Sequence, residues 1–148
     1  MFPEMNEDLQ NQILNINANT ETIKKELGRS FKFDFDTGQF ILSDGKLINT
    51  PREETIRQWI SLCVRTCVDK YEVYKSTGFG VNLEKIIGHK LNIFYRQVIV
   101  TEIQKGLLKN TEIKSVDNIE LIEEKDKLFI KANIKLTDNS TLDVEEMV

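Results

Sequence analysis

Residues 128–136 read LFIKANIKL, and this stretch decides the fold class because apolar and polar side chains alternate along it. A period of two is typical of a β-strand with one buried face. Ile119 and Leu121 precede this strand with the same alternation, and Leu142 and Val144 follow it. The intervening sequences EEKDK and TDNS are turn-forming. The sequence therefore predicts a C-terminal antiparallel β-meander with one solvated face.

A long amphipathic helix is predicted upstream, starting at TPRE, residues 50–53. Thr50 is the expected N-cap, Pro51 fits the first helical position, and Glu53 completes a capping box. Apolar residues then recur at three- and four-residue steps, which predicts a helix of about 25 residues. They are Ile56, Trp59, Ile60, Cys63, Val64, Cys67, Val68, Tyr71 and Tyr74.

A second helix is predicted from about Asn92 to Lys109, and Asn110 closes it. Lysines in its last turn suit the helix dipole. Its inward residues are predicted to be Phe94, Val98, Ile99, Ile103, Leu107 and Leu108.

The N-terminal part begins with a predicted hairpin at FKFDFDTGQFIL, residues 31–42. Phe31, Phe33 and Phe35 alternate with polar residues, and Gly38 provides the turn. Because strands and helices come in separate runs, the fold class is α+β. Residues 1–28 are rich in Asn and sparse in apolar residues, so they are predicted to form an arm that is either a flexible tail or a segment that orders on a neighbouring subunit. Residues 29–148 are predicted to form a single domain.

Composition narrows the function classes. The chain has 148 residues and a formal net charge of −4, which gives no general argument for nucleic-acid or membrane binding. No apolar run approaches the roughly 18–20 residues that a membrane span needs. The start, MFPEMNEDLQ, lacks a signal-peptide pattern, and two cysteines fit a reducing compartment, so a cytoplasmic protein is predicted.

The stretch YKSTGFGVNLEKIIG, residues 74–88, could be a phosphate loop or a corner between helices. A dinucleotide fingerprint needs a third glycine where this chain has Leu83, and no Gly-Lys-Ser/Thr follows. A structural corner is therefore predicted, in which Gly78 and Gly80 adopt unusual dihedrals and Phe79 fills the gap. Asn82 is predicted to cap a short helix that ends at Gly88.

No catalytic, metal or cofactor site is predicted. Cys63 and Cys67 are spaced four apart rather than as a redox pair, and a zinc site would need two more ligands. His89 is the single histidine, and no nucleophile elbow accompanies it. The acids lie where solvated acids belong, not in apolar runs that would raise a pKa. What remains is an arm and exposed strand edges, which are assembly devices.

Several motifs occur in an order that resembles a known family. They are an F-x-F-D strand, a D-G turn, the Glu54 to Arg57 helix start, Tyr71 with Tyr74, and the G-F-G-x-x-L corner. A helix and a meander follow. Over residues 30–148 this order resembles the small baseplate wedge proteins, or sheath initiators, of contractile phage tails and phage-tail-like bacteriocins.

The resemblance implies a domain similar to the C-terminal domain of the tail sheath protein. It implies a structural subunit that nucleates sheath by strand addition, here at the outer edge near Leu142, Asp143 and Val144. Expected partners are the tail sheath protein, other baseplate wedge proteins, and tail tube or hub proteins, in multiple copies around the tail axis. The subunit would assemble in the bacterial cytoplasm and then reside in the baseplate. Val144→Pro is expected to block nucleation and leave the monomer folded.

The wider family carries a Glu-Pro-Arg docking motif after the second helix. The matching residues here are Glu112, Ile113 and Lys114, so Glu112 is kept and Lys114 replaces the arginine. Lysine cannot make the bidentate fork of arginine, so Glu112 and Lys114 are expected to bind a partner in an altered way. Two alternatives stay open at this point: a peptidoglycan hydrolase, as older lysozyme-like family labels suggest, and a transient tail-assembly chaperone.

Overall fold

A computed structural model describes residues 30–84, 86 and 88–148, and the predicted arm lies outside the described residues. Four two-residue strands come first, followed by two helices and three long strands. The short strands are β1 (Phe33–Asp34), β2 (Gln39–Phe40), β3 (Leu42–Ser43) and β4 (Lys46–Leu47). The helices are α1 (Arg52–Arg65) and α2 (Ile93–Leu107). The long strands are β5 (Ile113–Glu124), β6 (Lys127–Leu136) and β7 (Thr141–Met147). The predicted α+β class is confirmed.

The N-terminal region contains two small hairpins where one was predicted. β1 pairs with β2, and β3 pairs with β4. The first strand stops after Asp34 because the Asp34 side chain accepts hydrogen bonds from the backbone N–H groups of Asp36 and Thr37, which closes a turn. Asp44 and Gly45 both have positive φ, as a two-residue hairpin loop requires, so the chain reverses again at once.

Helix α1 is 14 residues long, and the prediction of about 25 residues was wrong. The helix ends because Thr66 turns to an extended conformation and its carbonyl oxygen accepts a hydrogen bond from Val81 N–H at 2.9 Å. Cys67 then forms a parallel bridge with Val81, which competes with helix continuation. The apolar periodicity beyond residue 65 therefore does not mark a helix face. Tyr71 is exposed, and Tyr74 ends a short 3₁₀ helix, Glu72–Tyr74.

The predicted cap of α1 was also wrong. The N-cap is Pro51, and no side chain caps the helix. Thr50 is used elsewhere, because its hydroxyl donates to the Ser30 carbonyl oxygen and meets the Thr55 hydroxyl. The residue before the N-cap of α1 is therefore bound to Ser30, ahead of the first hairpin, and to Thr55 in the first turn of the helix.

Helix α2 begins as predicted, with the Asn92 side chain accepting a hydrogen bond from Tyr95 N–H at 2.9 Å. Ile99, Ile103 and Leu107 are buried. Phe94 and Leu108 are exposed, contrary to prediction, because at about 100° per residue they project roughly 180° and 140° away from Ile103 at the centre of that buried stripe.

The predicted helix after Asn82 is absent from the described residues of this stretch. Glu84, Ile86 and Gly88 lie in turns. Backbone hydrogen bonds from Ile86 to Leu83 and from His89 to Ile86 close these turns. The connection between the corner and α2 is therefore a series of turns.

The meander is confirmed: β6 lies between β5 and β7, and both pairings are antiparallel. The inner face of β6 presents Ile130, Ala132, Ile134 and Leu136 to the core. The two helices cover that face, and their most buried residues are Ile56, Ile60, Cys63, Ile103 and Leu107. The opposite face of the sheet and both edge strands remain at the surface.

Candidate functional site

The sheet edge at β7 presents a defined set of backbone groups. Leu128 and Val148 exchange both backbone hydrogen bonds, at 3.1 and 2.9 Å, and Leu136 N–H donates to Ser140 O at 2.8 Å. In an antiparallel pair, such hydrogen-bonded positions alternate with positions whose backbone groups point away. The register therefore turns the backbone groups of Leu142, Val144 and Glu146 toward β6. Those of Thr141, Asp143, Glu145 and Met147 point outward.

The opposite edge, at β5, is partly covered by α2. Arg96 donates from Nη1 to the Leu121 carbonyl oxygen at 2.8 Å. Gln104 donates from Nε2 to the Val116 carbonyl oxygen at 3.3 Å. A carbonyl oxygen that already accepts a side-chain hydrogen bond pairs less readily with an incoming strand, because that donor must first be displaced. The β5 edge is thus less available than the β7 edge.

On β7, one outward carbonyl is bound by a helix side chain. Arg57 of α1 donates from Nη1 to the Asp143 carbonyl oxygen at 2.6 Å. Glu53, one turn earlier, accepts from the same guanidinium at 3.1 and 3.2 Å. Within the part of the chain that the structure describes, the outward backbone groups of Thr141, Glu145 and Met147 have no hydrogen bond. We call this row of outward backbone groups, residues 141, 143, 145 and 147, the β7 edge.

The predicted edge residues have different surroundings. The side chains of Leu142 and Val144 are 3% and 9% exposed and belong to the core. Asp143 is exposed, and its carboxylate accepts a hydrogen bond from Asn133. The Val144 N–H faces β6, so the expectation that Val144→Pro leaves the fold intact is at odds with this register. The sequence did not predict that the backbone groups of Glu145 and Met147 point outward, because alternation of side chains does not reveal which backbone groups are paired.

Glu112, one of the two predicted docking residues, is buried and bound within the chain. Arg52 donates to the Glu112 carboxylate from Nε at 3.1 Å and also from Nη2. Arg52 also donates from Nη1 to Asp138 at 2.6 Å. The arginine thereby ties the start of α1 to the segment before β5 and to the β6–β7 turn. Lys114 is exposed, and its Nζ donates a hydrogen bond at 3.3 Å to Oδ1 of Asn139 in that same turn.

The ionisation of Asp138 in this turn makes the stability of the fold depend on pH. Hydrogen bonds from Ser140, and then from Arg52, hold the pKa of the Asp138 carboxyl well below its usual range. A lowered pKa in the folded state stabilises the fold above about pH 4, where the unfolded chain is also ionised, and this contribution is lost as pH falls toward the folded-state pKa.

We expect Asp138→Asn to reduce the loss of thermal stability between pH 6 and pH 3, because the variant lacks the group that must be protonated. Thermal unfolding followed by circular dichroism at both pH values measures this. Asp126→Asn, in the β5–β6 turn, is the matched control. An acid sensitivity in Asp138→Asn as large as in the unmodified chain would contradict the assignment.

The glycine corner combines two glycines at positive φ with aromatic contacts. Gly78 and Gly80 have φ of 67° and 106°. The Phe79 ring lies 5.5 Å from that of Trp59 on α1 and 4.7 Å from that of Tyr74. Phe79 N–H donates to the Thr77 hydroxyl. Lys109, after α2, donates to the Gly78 carbonyl oxygen. The corner thus connects the ends of both helices.

The side chains with potential reactivity, Cys63 and His89, are packed against other residues of the fold. Cys63 is buried, and desolvation raises the pKa of its thiol to about 11, so the thiol is protonated at neutral pH. The His89 ring stacks on that of Tyr95 at 5.1 Å. The described residues contain no group of three or more side chains that could hold a metal ion. No helix among the described residues is long and apolar enough to cross a membrane.

Comparison with protein-family models gives a match over most of the chain. A family model described as contractile injection system sheath initiator matches residues 29–139. That range includes the hairpins, both helices, β5 and β6, whereas β7 lies beyond it. Among curated proteins, no match was found.

Proposed function

The chain belongs to the contractile injection system sheath initiator family, so its role is structural and related to the sheath, and from this premise we propose a specific mechanism. The subunit sits in the baseplate, where it joins the inner wedge and hub region. It starts sheath assembly by accepting a strand from the sheath protein at the β7 edge.

The observation that carries this proposal is the difference between the two edges of the sheet. Side chains of α2 bind outward carbonyl oxygens on β5, at Leu121 and Val116. On β7, only the carbonyl of Asp143 is bound among the outward groups within the described chain. An unpaired edge offers donors and acceptors in a fixed register, so a strand from another chain gains affinity through its main chain.

Other surfaces of the subunit contact the remaining partners in this proposal. Residues 29–148 act as a single domain. The subunit assembles into the baseplate in the bacterial cytoplasm, and several copies of it surround the tail axis. Wedge proteins and tube or hub proteins bind away from the β7 edge. Lys114 is exposed and can contribute there directly, whereas Glu112 contributes through the Arg52 ion pair that orders this region.

The test is assembly of tail particles with and without this subunit. Without it, baseplates and tubes are expected to form but to carry no sheath, and adding purified subunit should restore sheath. Electron microscopy of negatively stained particles counts sheathed and bare tubes. Sheaths that form on baseplates at normal frequency without the subunit would refute the proposal.

The peptidoglycan hydrolase alternative has no support from the described residues. Glycoside hydrolysis uses two carboxyl groups facing one bond. The buried carboxylate of Glu112 is already bound by Arg52. A cell-wall clearing assay with the purified subunit separates this alternative from the structural role. A chaperone is separated by location, because a transient chaperone is absent from purified particles.

Arg57 is expected to slow the addition of a strand at the β7 edge. An incoming strand needs the Asp143 carbonyl oxygen that Arg57 now binds, so the strand must displace the guanidinium. We expect Arg57→Met, which keeps the apolar stem, to speed sheath nucleation about fivefold, because no charged hydrogen bond has to be broken. The lag before sheath growth on purified baseplates measures this.

Arg65→Met is the matched control for this prediction. Arg65 is on the same helix and carries the same charge, but it contacts the Glu146 carboxylate and the Phe35 carbonyl rather than an outward carbonyl of β7. The lag before sheath growth with Arg65→Met should not be shorter than with the unmodified subunit. Equal lags for Arg57→Met and the unmodified subunit would show that Arg57 does not restrict the edge.

A further inference from the structure

The exposed face of the sheet next to the β7 edge carries excess negative charge. Glu145 on β7 lies opposite Lys131 on β6, and Lys131 lies opposite Glu120 on β5. Asp143 is the next outward residue of β7, and it lies opposite the neutral Asn133. With Asp117 on β5, which also lies opposite Asn133, four carboxylates on this part of the face are balanced by two ammonium groups, those of Lys131 and Lys135. The Lys131–Glu145 contact is 3.5 Å long with both side chains about half exposed, so it neutralises little.

The other face of β7 is apolar near its start. Leu142 and Val144 are buried there, and α1 covers them. A strand added beside β7 would point alternate side chains to each face, because side chains alternate along every strand. Its residues on the helix side would extend the core. Its residues on the exposed side would lie beside Asp143 and Glu145.

The end of the β7 edge limits the register further. Met147 lies opposite Phe129, and Phe129 lies opposite Ile122, so this row is apolar on the exposed face. The outward residues of β7 thus follow the order polar, acidic, acidic, apolar from Thr141 to Met147. A slip of two residues would put a cation beside Met147 and leave Asp143 or Glu145 uncompensated.

We infer that the strand accepted at the β7 edge is amphipathic and basic. It carries Lys or Arg beside Asp143 and Glu145, an apolar residue beside Met147, and apolar residues on the helix side. This inference rests on the proposed function and adds the chemistry by which the edge selects its partner. Opposite charges in cross-strand positions stabilise a sheet, and like charges destabilise it. The charges therefore set the register and exclude acidic strands.

The test is charge reversal at both acids, Asp143→Lys with Glu145→Lys, assayed as sheath nucleation on purified baseplates. We expect nucleation to fall about tenfold, because two favourable cross-strand pairs become repulsive. The matched control is Glu123→Lys with Glu124→Lys at the far end of β5, which changes net charge equally and should nucleate normally. A sheath variant with acidic residues in the added strand should restore nucleation by the reversed subunit.

Salt dependence provides a second readout without any substitution. The side chains involved are exposed, so salt screens them. Nucleation by the unmodified subunit should weaken as ionic strength rises, and nucleation by the neutral pair Asp143→Asn with Glu145→Gln should respond less. If the reversed subunit does not fold, as judged by circular dichroism, this neutral pair provides the test, and we expect its nucleation to fall about threefold because two cross-strand charge pairs are lost.

Two results separate failure of this inference from failure of the proposed function. If the reversed subunit nucleates sheath normally but Glu145→Pro does not, the strand is added at β7 and the inferred charge pattern is wrong. If Glu145→Pro also nucleates normally, strand addition at β7 is wrong, and the inference falls with it. Loss of nucleation on charge reversal, with rescue by an acidic sheath strand, supports both.

Discussion

Replacing Glu145 with proline is expected to abolish sheath nucleation and to leave the subunit folded. The backbone N–H of Glu145 points away from β6, so proline removes a donor that the subunit itself does not use. Proline is tolerated at such positions of edge strands. An added strand would lose that hydrogen bond and would meet the proline ring in its path.

Val144→Pro is the contrasting variant, and the register predicts the opposite outcome for it. The Val144 N–H points to β6, and its side chain is in the core. Proline there removes a ladder hydrogen bond inside the sheet, so we expect Val144→Pro to lose stability. Urea denaturation separates the two variants, and electron microscopy counts sheathed tubes. Sheaths of normal number and length with Glu145→Pro would show that strand addition does not occur at β7.

The second large effect is expected from Gly80→Ala at the glycine corner. A Cβ atom at Gly80 would lie 2.4 Å from the Thr66 carbonyl oxygen and 3.1 Å from the Thr66 carbonyl carbon. These are backbone atoms, so a side-chain rotation cannot relieve the clash. The φ of 106° adds strain for any residue with a side chain. We expect the free energy of unfolding to fall by about 3 kcal/mol or more.

Gly38→Ala isolates the dihedral part of this effect. Gly38 has a φ of 70°, but a Cβ atom there would have no heavy atom within 4 Å. We expect it to cost about 1 kcal/mol, the usual cost of a positive φ for alanine. Urea denaturation of both variants gives the comparison. A Gly80→Ala midpoint no lower than that of Gly38→Ala would mean that the corner moves to accept the methyl group.

The corner also affects the β7 edge through α1. The hydrogen bond from Val81, next to Gly80, to the Thr66 carbonyl oxygen ends α1 at Arg65, and α1 carries Arg57, which binds the Asp143 carbonyl oxygen. Gly80→Ala should therefore impair sheath nucleation through loss of the folded subunit. Glu145→Pro should impair it in a folded subunit. Thermal unfolding of both variants distinguishes these two causes.

The sequence by itself determined the elements whose signal is local. The alternation in residues 128–136 specified the meander, since a period of two separates the two faces of a strand. Asn92 specified the start of α2, because an N-cap acts within its own first turn. The missing third glycine at Leu83 argued against a phosphate loop, and the N–H groups of Phe79 and Val81 are bound within the chain.

Only the tertiary structure decided the features that depend on distant partners. The end of α1 depends on Val81, which bonds Thr66 across the corner and overrides an apolar period that continues past residue 65. The burial of Glu112 depends on Arg52, 60 residues away in the sequence. The outward direction of the Glu145 backbone depends on the register with β6, because the side-chain pattern is the same for either hydrogen-bond parity. Side-chain periodicity records which face is buried, but it does not record which backbone group remains free to bind another chain.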